Sequence, residues 1–223
     1  MSEIVYDEPP FLVEAVLGLG PQGNNAYILS GANRELVTIV DAPAGAEAIL
    51  QAVGARTIER IIVTHWHADH WAGFDVLRAA TSAPVYAGAE EENLDATRDI
   101  LPLEHDALVA IGGPGSPATV RVVRTPGHTV GSICLRFGLE GRGVVLTGDT
   151  LFPGGPGRTR DHAALELEIA SITSRLLTLT PATLVLPGHG GSATIGQSTE
   201  EYATFAGKPH DPDLQGDVLW LES

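Results

Sequence analysis

Four times along this chain a short run of β-branched and aliphatic residues empties directly into a loop that carries a histidine or an aspartate. R-I-I-V-T (60–64) leads into H-W-H-A-D-H, A-T-V-R-V-V-R-T (118–125) into P-G-H-T, G-V-V-L-T (143–147) into G-D-T, and A-T-L-V-L (182–186) into P-G-H-G. Such runs, bounded by Gly and Pro, read as β-strands. Loops at strand ends are where α/β proteins hold functional groups.

The first loop is the densest. Three of the eight histidines, His65, His67 and His70, share six consecutive positions with Asp69. Spacings of two and three residues cannot aim all of these at one point from a straight helix or strand, whereas a loop with a tight turn can. Adding His128, Asp149 and His189 gives five imidazoles and two carboxylates, a nitrogen and oxygen donor set without a thiolate. That set suits zinc, iron or manganese. One catalytic tetrahedral zinc needs three protein ligands and an open position, so seven donors point to two ions. A pair of cations roughly 3.5–4 Å apart polarises a carbonyl and lowers the pKa of a water towards about 7, which is hydrolytic chemistry.

Composition narrows the setting. The chain has 223 residues, 43% hydrophobic and 18% charged, with 26 Gly and 15 Pro, which predicts one loop-rich mixed α/β domain over 1–223. A net charge of −15 repels phosphate backbones and anionic membrane surfaces, so neither nucleic acid nor membrane is an expected partner. One cysteine, Cys134, excludes an internal disulfide, and its strand S-I-C-L-R-F predicts a packing role. The acidic, proline-bearing start and the lack of an apolar run of about 18–20 residues predict a cytoplasmic protein.

Local patterns predict an antiparallel meander over Phe11–Leu17, Ala26–Ser30 and Glu35–Val40. A helix is expected around Ile49, Leu50 and Val53, ending at Gly54, and a second, short one around Phe74 and Leu77. A longer amphipathic helix over Asp161–Leu177 carries the stripe Leu165, Ile169, Ile172 and Leu176.

Taken in order, T-H-W-H-A-D-H, T-P-G-H-T-V-G-S, L-T-G-D-T-L-F and L-P-G-H-G resemble the metallo-β-lactamase superfamily, from about Asn24 to about Gly191. The resemblance implies a four-layer αββα sandwich, two mixed β-sheets face to face with helices on the outer faces. It further implies that His65, His67 and His128 hold one divalent ion, zinc before iron or manganese, that Asp69, His70 and His189 hold a second, and that Asp149 bridges them. Asp41, ending T-I-V-D, is similar to the superfamily's aspartate that supports a ligand from behind, and also suits a turn before Pro43. Gly127, Gly148 and Gly188 would let the backbone bend close to the ions.

Within the superfamily, G-D-T-L-F-P-G-G-P-G-R-T is most similar to the hydroxyacylglutathione hydrolases (glyoxalase II group), in which a basic residue at the place of Arg158 contacts the thiol carrier. Longer members add a C-terminal helical domain with further basic residues, whereas here the only lysine, Lys208, lies in a short tail. The implied activity is hydrolysis of a small-molecule thiolester by a metal-bridging hydroxide, with Asp69 and Asp149 as the catalytic carboxylates, Asp69 taking the proton. The alternatives are a mononuclear-iron persulfide dioxygenase and a lactone or other ester hydrolase. No G-x-S-x-G nucleophile elbow is present. Trp66 and Trp71 suit either a pocket wall or the core, Trp220 suits a tail anchor, and His105, His162 and His210 are expected at the surface.

Overall fold

The computed structural model describes residues 2–91, 99–139 and 141–223. Among these, the first sheet takes its strands in chain order: β1 (Glu3–Glu8), β2 (Phe11–Leu19), β3 (Asn24–Ser30), β4 (Leu36–Val40), β5 (Thr57–Val63), β6 (Val85–Gly88) and β7 (Ile100–Leu103). β1 to β4 form the antiparallel meander; β4 to β7 run parallel. The second sheet is built from β8 (Leu108–Ala110), β9 (Thr119–Arg124), β10 (Ile133–Leu139), β11 (Arg142–Gly148), β14 (Leu184–Pro187) and β15 (Ala193–Thr194), in the order β15-β14-β11-β10-β9-β8. Only β11 and β14 are parallel there, so both sheets are mixed. A small ribbon of β12 (Leu151–Phe152) and β13 (Gly155–Pro156) stands apart.

Three apolar layers hold these sheets. Between them, Phe11, Val13, Leu29 and Ile62 meet Val122, Leu135, Phe137 and Leu146. Outside the first sheet, Ile28, Ile39, Ile61 and Val63 pack under α1 (Ala46–Val53) and α2 (Phe74–Ala80) through Ile49, Val53, Phe74 and Leu77. Outside the second, Cys134, Val145 and Val185 pack under α3 (His162–Ser171) and α4 (Ile195–Ala206) through Leu165 and Phe205, with Ile172 and Leu176 from the turn after α3 and Trp220 from the tail. The layers are αββα. β3 is covered on both faces, Tyr27 and Leu29 facing the other sheet and Ala26 and Ile28 the helices, so every one of its residues is buried. Each fully buried aliphatic side chain contributes about 1.5–3 kcal/mol.

The period of two in β10 sends Ile133, Leu135 and Phe137 between the sheets and Cys134 to the helix side, as its sequence predicts. Burial pushes the Cys134 thiol up to about 11, so it packs as an apolar group. Trp220 is likewise the tail's anchor, fully buried against Tyr202.

Two local outcomes differ from the sequence expectation. The helix expected over Asp161–Leu177 is α-helical only to Ser171 and turns into a π-helical segment at Ile172–Leu176. There the Thr173 hydroxyl donates to the Ile169 carbonyl at 2.8 Å, a back-bond that loosens helical pairing. α4, which the apolar pattern did not announce, is started by a reciprocal capping box between Thr194 and Gln197. No helix among the described residues is long and apolar enough to cross a membrane.

At one end of the sandwich the two sheets are tied together. The Ile133 N–H donates to the Thr64 carbonyl at 2.9 Å and the Asn25 N–H to that of Gly188 at 2.7 Å. The Tyr27 hydroxyl reaches the Pro187 carbonyl at 2.7 Å. The histidine-bearing loops share this end.

Candidate metal centre

The loop after β5 makes its tight turn as a single 3₁₀ turn, Ala68–His70, before α2 begins. That turn lets one short segment present four donors. The loops after β9, β11 and β14 bring His128, Asp149 and His189 to the same place. His65, His67 and His128 form one group; Asp69, His70 and His189 form another; His65, His70 and Asp149 lie between them. Within each group all ligand atoms are within 4.8 Å of one another.

The contacts are close. His65 Nε2 and His128 Nε2 are 3.2 Å apart, and His70 Nε2 and His189 Nε2 are 3.3 Å apart. Asp149 places Oδ1 3.2 Å from His70 Nε2 and Oδ2 3.3 Å from His189 Nε2 and 3.7 Å from His128 Nε2. A tetrahedral ion with bonds of about 2.0 Å spaces its ligands about 3.3 Å apart, so these separations suit nitrogens that share a cation. Asp149 Oδ1 is buried with no hydrogen-bond partner among the described residues. The backbone leaves room for little else: a Cβ on Gly188 would meet Asp149 Oδ1 at 2.4 Å and His70 Cε1 at 2.7 Å, and one on Gly148 would meet Thr64 Oγ1 at 2.6 Å. The donor set fits a pair of divalent cations.

What aims the imidazoles is the far nitrogen of each ring. His70 Nδ1 donates to Asp41 Oδ2 at 2.9 Å, His128 Nδ1 to the Arg158 carbonyl at 2.9 Å, and His189 Nδ1 to the Gln22 carbonyl at 3.2 Å. With Nδ1 engaged behind each ring, Nε2 is the nitrogen that faces the centre. His65 Nδ1 lies 3.1 Å from the Thr64 hydroxyl, which reaches both oxygens of Asp41 at 3.1 and 3.0 Å. Asp41, buried and with φ of 66°, also accepts the Thr64 N–H at 2.8 Å. It therefore supports His65 and His70 at once.

Charge follows burial. Desolvation, with the neighbouring imidazoles adding to it, holds His65 well below the usual histidine range, lowers His67 and brings His128 to about 4, so these rings keep their lone pairs at neutral pH. For His70, burial is outweighed by the Asp41 and Asp149 carboxylates, which raise it to about 10, and the Asp149 hydrogen bond raises His189. Burial would raise Asp149, yet the neighbouring His189 and His70 imidazoles hold it well below the carboxylate range. Asp69 is lowered likewise, its burial offset first by the Asn24 hydrogen bond.

Several participants have no motif. Asn24 Nδ2 donates to Asp69 Oδ2 at 2.8 Å, and only the G-N-N turn hinted at it. Glu168 of α3 is fully buried behind the His128 loop, where a Cβ on Gly127 would meet its own at 2.1 Å. Among the described residues neither of its oxygens makes a well-formed hydrogen bond. Burial pushes its carboxyl up to about 9; the Gly157 N–H offsets part of this and the Asp149 charge adds to it. Trp66 and Trp71 pack with ring centroids 4.0 Å apart, tilted by 54°, Trp71 within the core under α1 and α2 and Trp66 partly buried against it, and Trp71 Nε1 donates to the His65 carbonyl. The core alternative is the one realised. His105 is exposed as expected, while His162 and His210 are half-buried and bond the Leu214 and Phe205 carbonyls.

Residues 19–189 match the family model of the metallo-β-lactamase superfamily. The chain belongs to that superfamily. This metallo-β-lactamase superfamily member is 35% identical over 173 residues to a hydroxyacylglutathione hydrolase of Cereibacter sphaeroides, covering 77% of this chain and 64% of that one. It thus spans somewhat less than two thirds of that curated relative. Among solved structures it is similar to the B3 metallo-β-lactamase BLEG-1, with a TM-score of 0.69, 31% identity and 84% and 96% of the two chains covered. It is also similar to TTHA1623 in a di-iron-bound form, with a TM-score of 0.66, 28% identity and 83% and 96% covered.

Proposed function

We propose that this protein is a dinuclear metal-dependent hydrolase that cleaves a small-molecule thiolester. One observation carries the reading: the Nε2 atoms of His65, His70, His128 and His189 converge on Asp149 while the other nitrogen of each ring is held from behind. In this reading His65, His67 and His128 hold one ion, Asp69, His70 and His189 the other, and Asp149 both. The likeness to hydroxyacylglutathione hydrolases and to a di-iron-bound relative supports it.

When bound, the ions supply Lewis acidity, polarising a carbonyl and making a water nucleophilic near neutral pH. The chain's own groups do the rest. Asp69, kept charged and fixed by Asn24, takes the proton of the attacking water. Asp41 holds His70 and, through Thr64, His65 against rotation. Arg158, which lines the same pocket, orients the substrate. A thiol with a pKa of about 8.5 departs as thiolate without a proton. That suits a pocket whose titratable lining is ligand groups, one arginine and one further carboxylate.

The test is hydrolysis of S-lactoylglutathione and of an uncharged S-lactoyl thiolester by protein stripped with a chelator and reloaded with zinc, iron or manganese. Activity that disappears on stripping and returns on loading is the expected result. Activity that persists in metal-free protein would overturn the reading. Retention of one iron with oxygen consumption on a persulfide would replace it with the dioxygenase.

A further inference from the structure

A pocket of about 370 Å³ opens beside the candidate centre, and the strand-end loops do not make its wall alone. The pocket is lined by His128, Asp149 and His189 together with Phe152 and Arg158 from the following loop and Asp217 from the C-terminal segment. That segment is fastened. Trp220 is fully buried, its N–H donates to the Gly154 carbonyl at 2.8 Å, and the Thr159 N–H donates to that of Gly216 at 3.1 Å. A Cβ on Gly155 would stand 2.5 Å from the Val218 carbonyl, so a glycine there is what admits the segment.

The docked segment sets Asp217 Oδ2 3.9 Å from Arg158 Nε. Arg158 is the sole lysine or arginine lining this pocket among the described residues. Arg160, in a neighbouring pocket that shares His128, is matched in the same way by Asp161 at 3.1 Å. The lining adds exposed apolar surface from Leu219. A cation already matched by a carboxylate offers an incoming carboxylate little net attraction, and a molecule of net charge −15 adds repulsion.

We propose, resting on the hydrolase reading above, that residues 216–220 form a specificity wall and that Asp217 sets the substrate class. The pocket takes thiolesters whose thiol half is uncharged and apolar in preference to those whose thiol half carries carboxylates.

The test compares S-lactoyl-N-acetylcysteamine with S-lactoylglutathione, which share an acyl group and differ in charge, on the metal-loaded full chain. Wild type should show the higher kcat/KM on the neutral thiolester. Asp217→Asn should shift the ratio towards the glutathione thiolester by about threefold to fivefold, through KM, with the shift shrinking as salt is added. Asp213→Asn removes an equal charge from the same tail outside the pocket lining and should leave the ratio alone. Calorimetric binding of glutathione and of N-acetylcysteamine reads the same preference without turnover. Wild type favouring the glutathione thiolester, or Asp217→Asn matching Asp213→Asn, would overturn the proposal. If neither thiolester is cleaved but the binding preference holds and moves with Asp217→Asn, the wall stands and the hydrolase reading falls.

Discussion

The pocket has two walls held in different ways. The histidine wall is over-determined: His65 and His70 are buried, the rings of His65, His70, His128 and His189 are each held through Nδ1, Asp41 serves two rings, and cross-sheet hydrogen bonds clamp the strand ends. The wall of residues 152–158 and the tail presents exposed side chains, with Arg158 and Asp217 each about three-quarters exposed, and stays in place through backbone bonds and one buried tryptophan. Geometry that must position a reacting atom is bought with burial, whereas geometry that sorts substrates needs only a steady surface. The walls meet where the Arg158 carbonyl accepts from His128 Nδ1 and where the Phe152 ring lies 6.3 Å from that of His189, centroid to centroid.

The sharpest way to break this contrast is Asp149→Ala. It should lower metal content below two ions per chain and reduce kcat/KM by at least about a thousandfold, since the carboxylate that lies between the two outer groups is gone. An active variant with full metal content would refute the assignment. Trp220→Ala attacks the other wall: about 3–5 kcal/mol of stability should go in chemical denaturation, with KM rising and metal content intact. Loss of metal in that variant would show that the walls are not separable.

Glu168 tests what lies beneath both. Its folded pKa of about 9 stands above its unfolded value near 4.5, so the neutral form is the one the fold tolerates. The native state is then favoured fully below pH 4.5 and loses stability as pH rises towards 9. The loss reaches up to about 3 kcal/mol between pH 4.5 and 7. Glu168→Gln should flatten that slope in denaturation curves taken across pH; an unchanged slope would contradict the assignment. The smallest effect is Asp41→Asn, for which metal affinity, measured by chelator competition, should fall about tenfold to a hundredfold.

The same contrast explains what the sequence made legible. Ligand chemistry demands fixed residue types, so His65, His67, Asp69, His70, His128, Asp149 and His189 stood out before any coordinates and lie together in the fold. The alternation in β10 placed Cys134 correctly because a strand's period is two. By contrast Asp217 and the tail are brought to the pocket by tertiary docking, which has no local signature. Glu168 looked like one more polar residue on an amphipathic helix, because only the close approach of Gly127 buries it. The π-helical turn escaped because hydroxyl back-bonding to i−4 carbonyls leaves the apolar stripe unchanged.

The central claim is that seven side chains make one two-metal centre, and metal content tests it most directly. Protein stripped of metal, reloaded separately with zinc, iron and manganese, and freed of excess ion should hold two ions per chain by elemental analysis with at least one metal. Occupancy that stops at one ion per chain with every metal would contradict the account.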